Sequence, residues 1–259
     1  MKYSVATIIA AFSGKALAHG GVTAYTIDGK VYPGYEWAEP FEGQKDLIQR
    51  SWHAFPHEDA LSSNITCNYD GSTVPGTFHA PIQSGGNISV TWEHEGYGWV
   101  HTLGPLTAYL ASCGDDCTTI TDIANLEWFK IAEEGLREGY AIGDEAAWFQ
   151  SDLWESRRAD HWDVTIPRNL KPGKYMIRHE IIMIELSPVQ FYPNCAHLEI
   201  SGPGSLVPGE DFLVKFPGAY SMSDPGIAIA GKVLQDKTTK VRLLLTPFLK
   251  LIPRNSLGL

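Results

Sequence analysis

Lys174-Tyr175-Met176-Ile177-Arg178-His179-Glu180-Ile181-Ile182-Met183-Ile184 is an unbroken run rich in β-branched and other large apolar side chains, entered through Pro172-Gly173. Such residues pack well on a pleated surface, so the run reads as a long strand. Working outward, shorter segments of the same character recur between turn residues. They are Val22 to Ile27 before Asp28-Gly29, Ile88 to Trp92, Leu106 to Ala111, Trp162 to Ile166, and Ala196 to Ile200. Short strands at this density predict an all-β fold, an antiparallel β-sandwich with long loops. The stretch from Leu126 to Trp154 carries acids, Gly and Trp without clean helical periodicity, and is expected to form loops with a short helix.

The 259 residues are 44% hydrophobic and 11% aromatic, with a formal net charge of -10. A chain of this length buries a sizeable core, and its apolar content excludes a disordered acidic chain. No run of about 18 apolar residues is present, so no membrane partner is expected. Nucleic-acid binding needs clustered Lys and Arg, which the acidic balance argues against. A monomer is expected.

Residues 1–18 read as a secretory signal. Lys2 gives a positive start, Val5 to Phe12 is a short apolar stretch, and Ala16-Leu17-Ala18 carries small residues where signal peptidase reads them. Cleavage would leave His19 first and place the protein outside the cell. In an oxidising compartment the four cysteines form two disulfides, and of the three possible pairings Cys113 with Cys117 and Cys67 with Cys195 is the expected one. Asn64-Ile65-Thr66 and Asn87-Ile88-Ser89 are glycosylation sequons. One domain is expected over residues 19–231. Residues 232–259 form a basic tail, with Lys232, Lys237, Lys240, Arg242, Lys250 and Arg254 against the lone acid Asp236.

A new N-terminal His19 would offer a free α-amine and an imidazole nitrogen, and the two can chelate one metal ion. His101, before Gly104-Pro105 and a strand, would add a third nitrogen. Tyr192, in Gln190-Phe191-Tyr192-Pro193-Asn194-Cys195, would add a weak axial phenol. Three nitrogens and a weak axial oxygen suit copper. Two other chemistries were weighed. Glu93, Glu95, Glu133 and Glu134 supply carboxylates for a glycosidase, but nothing in the sequence sets a pair at a working separation. His179-Glu180-Ile181-Ile182-Met183 lacks the second His of a zinc protease helix.

These residues, together with His19-Gly20-Gly21-Val22, Gly104-Pro105-Leu106-Thr107-Ala108-Tyr109-Leu110-Ala111, Trp128-Phe129-Lys130-Ile131, Pro172 through Ile182, and Phe216-Pro217-Gly218-Ala219-Tyr220, resemble the fungal lytic polysaccharide monooxygenases of auxiliary activity family 9, formerly glycoside hydrolase family 61. The resemblance implies an immunoglobulin-like or fibronectin-like sandwich carrying one copper ion on a flat face. It implies oxidative cleavage of cellulose or a related insoluble β-linked glucan by hydrogen abstraction at C1 and/or C4, using O2 or H2O2 and an external electron donor. It assigns His19, His101 and Tyr192 to the metal, Gln190, Tyr192 and His179 to catalysis, and Tyr220 to a surface that contacts substrate. A non-catalytic copper-binding or polysaccharide-binding protein on the same scaffold is the alternative. Two places differ from the family pattern: both Thr102 and Leu103 separate His101 from Gly104-Pro105, and Glu185 stands where the pattern has a second histidine that donates a proton. Glu185 is six residues beyond His179, so on a continuous strand both would share a face.

Overall fold

The computed structural model describes residues 19–69, 71–94, 96–154 and 158–239. The expected signal at 1–18, Glu95, and the part of the basic tail beyond residue 239 lie outside the described residues. Ten strands form: β1 (Gly21–Ile27), β2 (Lys30–Pro33), β3 (Ala80–Gln83), β4 (Asn87–His94), β5 (Tyr97–Gly98), β6 (Leu106–Ser112), β7 (Trp128–Glu134), β8 (Trp162–Thr165), β9 (Gly173–Met183) and β10 (Gln190–Ser201). One sheet runs β2-β1-β4, with β5 and β8 both pairing to β4; the other runs β3-β10-β9-β6-β7. Neighbours are antiparallel except β3 against β10. The result is the expected β-sandwich, and among the described residues its α-helices are two of four residues each, α1 (Gln150–Leu153) and α2 (Pro225–Ala228).

The run from Lys174 forms most of β9, which is buried without a break from Tyr175 to Met183. On one face of β9, Tyr175, Ile177, Ile181 and Met183 join Val22, Val90 and Trp92 of the opposite sheet. On its other face, Met176 and Ile182 join a second core with Tyr109, Trp128, Phe216 and Tyr220, built under the long loops. A strand covered on both faces has no solvent side to mark with polar residues, which explains its nearly continuous apolar sequence.

Two expectations change. The stretch 126–154 contains a strand, β7, which pairs with β6 along the sheet edge through a register shift at Ala108/Tyr109. That irregularity and the Lys130–Glu133 ion pair at 2.7 Å conceal its alternation. Strand β10 begins at Gln190 rather than Ala196, with Pro193 lying before β3 starts to pair at Leu198. There proline's missing N–H breaks no ladder bond to β3. Residues just beyond the expected boundary at 231 pack on the sandwich as well. Val233 is fully buried, and the amides of Ile142 and Gly143 donate to the carbonyls of Thr239 and Asp236, both at 2.9 Å.

Candidate metal centre

Strand register gathers several chain segments at one end of the sandwich. Gly21 pairs with Glu93 and Glu93 with Gly98, so the start of β1 lies beside the segment leading to His101. Gln190 pairs with Met183 where β9 ends. The entry to β1 is held by side chains: Val22 N–H donates to Asn194 Oδ1 at 2.9 Å, and Val22 C=O accepts from Gln49 Nε2 at 2.9 Å. Gly21 is required by close approach, since a Cβ there would stand 2.5 Å from the Trp52 ring. His19, two residues upstream, is thus delivered to this end, its ring edge-on to Phe55 at 5.4 Å between centroids.

His101 and Tyr192 meet directly, with His101 Nε2 3.2 Å from the Tyr192 phenol oxygen. The phenol donates its proton to Gln190 Oε1 at 2.7 Å, the two side chains sharing a face of β10 at alternate positions. Trp99 packs edge-on beneath both rings, at 5.5 Å from His101 and 5.0 Å from Tyr192. On the far side of the imidazole, His101 Nδ1 lies 3.4 Å from Glu185 Oε2. The loop carrying His101 presses on β9: Gly104 has φ +132°, and a Cβ there would overlap the Ile182 carbonyl.

Electrostatics follow from this packing. Burial pushes the Tyr192 phenol well above its ordinary value, and the charges of Glu185 and Glu58 add to the shift, so it stays protonated. Burial acts to raise Glu185, but hydrogen bonds from His101 and from the side chain and amide of Thr102 outweigh it and hold the carboxyl below its usual range. Glu185 is therefore an anionic acceptor and not a substitute proton donor. The phenol proton points to Gln190 and His101 Nδ1 lies on the Glu185 side, so in the tautomer protonated at Nδ1 the Nε2 lone pair and the Tyr192 oxygen face one another. Two such donors 3.2 Å apart fit a cation, and imidazole nitrogen with a weak neutral oxygen fits copper. Among the described residues no three His, Cys, Asp or Glu side chains cluster. The expected donor set would take only two residues of those types, with an amine and a phenol for the rest.

Other expected site residues lie elsewhere. His179 faces the inter-sheet core, fully buried among Tyr25, Trp92 and Trp162, with neither ring nitrogen hydrogen-bonded. β9 ends at Met183, so Glu185 does not continue its face. Tyr220 is not a surface contact: it is only 3% exposed and donates to Glu180 Oε2 at 2.8 Å. The disulfides Cys67–Cys195 and Cys113–Cys117 form as expected. Asn87 is exposed where β4 begins, whereas Asn64 is half-buried and the Thr66 of its sequon is fully buried.

A surface that the sequence reading passed over adjoins His19. Phe55, half exposed at 50%, stacks on His53 at 4.8 Å; Trp37 tilts against the same His53, and Tyr69, 40% exposed, packs on His53 and His57. These residues come from loops without β periodicity. The available signal was their local density of aromatic and His side chains within 52–57.

Comparison with known proteins agrees with this architecture. The sequence profile of Auxiliary Activity family 9 (formerly GH61) matches residues 19–239. The AA9 family lytic polysaccharide monooxygenase B of Heterobasidion irregulare (strain TC 32-1) is 39% identical over 83% of this chain and 85% of its own length. The crystal structure of HiLPMO9B superimposes with a TM-score of 0.76 at 36% identity, covering 88% of this chain and 99% of that one. A cellulose-active polysaccharide monooxygenase from M. thermophila gives 0.74 at 31% identity, over 86% of this chain and 96% of that one. The match in sequence and in fold runs through both sheets and the end where His101 meets Tyr192, so the chain belongs to Auxiliary Activity family 9, the copper-dependent lytic polysaccharide monooxygenases that cleave polysaccharides oxidatively.

Proposed function

We propose that the chain is exported and, with one copper ion, cleaves cellulose or a related insoluble β-linked glucan at C1 and/or C4. The observation that carries the metal assignment is the approach of His101 Nε2 to the Tyr192 oxygen, 3.2 Å apart, with the phenol donating to Gln190 instead. His19 would add its α-amine and imidazole once residues 1–18 are removed. That reading is supported by a family match that begins at residue 19. Bound there, copper supplies the redox chemistry that activates O2 or H2O2 with electrons from an external donor. Gln190 fixes the phenol by accepting its proton and keeps its own amide N–H groups for an oxygen species. Trp99 closes the floor of the centre against water. On the outside, Phe55, Tyr69 and Trp37 form an aromatic face beside His19 that can stack on pyranose rings, the role the sequence assigned to Tyr220. The cellulose activity of the M. thermophila relative supports the substrate class. Asn87 is the better placed of the two glycan acceptors.

The test is mass spectrometry of products from cellulose incubated with processed, copper-loaded protein and ascorbate, alongside metal-free protein and His101→Ala. Aldonic acids or C4-ketone oligosaccharides are expected with copper and are lost in the variant. Tight copper binding with no oxidised product from any of several β-glucans would overturn the substrate assignment.

A further inference from the structure

Glu185 does two things at once. Its Oε1 accepts from the Thr102 amide, from Thr102 Oγ1 at 2.7 Å and from the Leu103 amide at 2.8 Å. Its Oε2 faces His101 Nδ1 at 3.4 Å. The adjacent backbone is tied to the same loop, since Ile184 N–H donates to Leu103 C=O at 3.1 Å and Ile182 N–H to Pro105 C=O at 3.0 Å. The segment that bears the imidazole is therefore clipped to the end of β9 through its backbone and through a single carboxylate.

We propose that Glu185 is the positioning residue for His101, accepting the imidazole's Nδ1–H through one oxygen while the other anchors Thr102 and Leu103, so that Nε2 presents its lone pair beside the Tyr192 phenol. A neutral imidazole has one N–H, and whichever nitrogen's proton finds an acceptor decides which nitrogen is left to bind. Here Nδ1 has a carboxylate oxygen. Nε2 faces a phenol oxygen whose own proton is committed to Gln190. A carboxylate on the far nitrogen also makes the binding nitrogen a stronger donor, and removing such a partner weakens metal affinity about 10- to 100-fold. The loop anchor adds positional precision, because the three donors on Oε1 fix the carboxylate before it meets the ring.

This inference rests on the copper assignment, and the experiment separates the two. Copper(II) affinity by competition and the Cu(II) electron paramagnetic resonance spectrum are measured on processed protein carrying Glu185→Gln, Thr102→Val or His101→Ala. Glu185→Gln can still accept from the loop, but its amide NH2 meets Nδ1 with a donor; affinity should fall about 10- to 100-fold with a changed spectrum. Thr102→Val removes one of the three bonds that fix Oε1 and should lower affinity less than Glu185→Gln does, with the spectrum shifted in the same sense. Unaltered affinity and spectrum in Glu185→Gln, with His101→Ala losing copper, would overturn the role of Glu185 alone. Unaltered affinity in His101→Ala would overturn the metal assignment itself. Should Glu185→Gln not fold, 15N NMR of the metal-free wild-type protein decides: a proton on Nδ1 of His101 is expected, and a proton on Nε2 alone overturns the proposal.

Discussion

Glu180 and Glu185 stand five residues apart and end in opposite situations. Glu180 lies on β9, fully buried, paired with Arg178 through both oxygens at 2.6 and 2.9 Å and accepting from Tyr220 at 2.8 Å. Arg178 spends its other donors on the carbonyls of Ile65 and Thr66, both at 2.8 Å. Each of the three guanidinium nitrogens has an acceptor, and the cluster is closed. Glu185, just past the strand, starts a chain that runs through His101 and Tyr192 to Gln190, at the end of the sandwich beside the entry to β1. A closed polar cluster specifies how loops pack on a sheet. A chain that brings an imidazole and a phenol together at the sandwich end offers donors suited to a cation.

Breaking the closed cluster should give the largest change. Glu180→Ala leaves the Arg178 guanidinium buried without its counter-charge, and removal of one partner from a buried pair destabilises by about 3–5 kcal/mol. Urea or guanidinium denaturation midpoints measure this. A loss below about 1 kcal/mol would show that water reaches Arg178, and the cluster would not be closed.

A smaller change tests which cluster Tyr220 belongs to. Tyr220→Phe removes the hydroxyl that donates to Glu180 and meets Tyr109 at 3.2 Å, and should destabilise by about 1–2 kcal/mol with cellulose binding unchanged. Phe55→Ala should do the reverse, weakening binding to cellulose several-fold with little change in stability, because its ring is half exposed beside His19. Weaker cellulose binding in Tyr220→Phe at unchanged stability would return that residue to the surface role.

The difference between the clusters also marks how far the sequence could be read. Strand β9, the two disulfides, and the meeting of His101, Tyr192 and Gln190 were legible, since alternation, cysteine pairing and family motifs are local or ordered signals. Strand β7 was hidden by a register shift and by charges that pair with each other. The fate of His179 was hidden for another reason, since a strand buried on both faces gives the same pattern whichever side a polar residue takes, and Tyr220 lies in a loop with no periodicity to mark a buried side. Only the opposite sheet, with Trp92 and Trp162, shows that His179 points inward. Glu185 is the sharpest case. Its role depends on the Thr102 and Leu103 amides, 82 or more residues away in sequence, which no local pattern can link to it.

His179 gives the most diagnostic test and, at pH 7, the smallest effect, because it belongs to neither cluster. Burial among aromatic rings lowers its pKa from 6.5 to about 3. Between those values the unfolded chain binds the proton that the folded one refuses, so stability is complete above about pH 6.5 and is lost as pH falls toward 3, at about 1.4 kcal/mol per pH unit for this group. His57, lowered mainly by burial to about 4, and His197 act in the same direction. The wild-type slope is thus a sum, and the difference from His179→Leu isolates one member of it. That variant should unfold less readily at pH 4 to 5 than wild type. At pH 7 it should be neutral or more stable by about 1 kcal/mol, since two unpartnered ring nitrogens leave the core. Thermal unfolding across pH 4 to 8 measures both. An unchanged acid slope would mean that the ring is protonated or wet in the folded state. A properly folded His179→Leu protein that binds copper normally yet yields no oxidised product would restore the catalytic role that burial argues against.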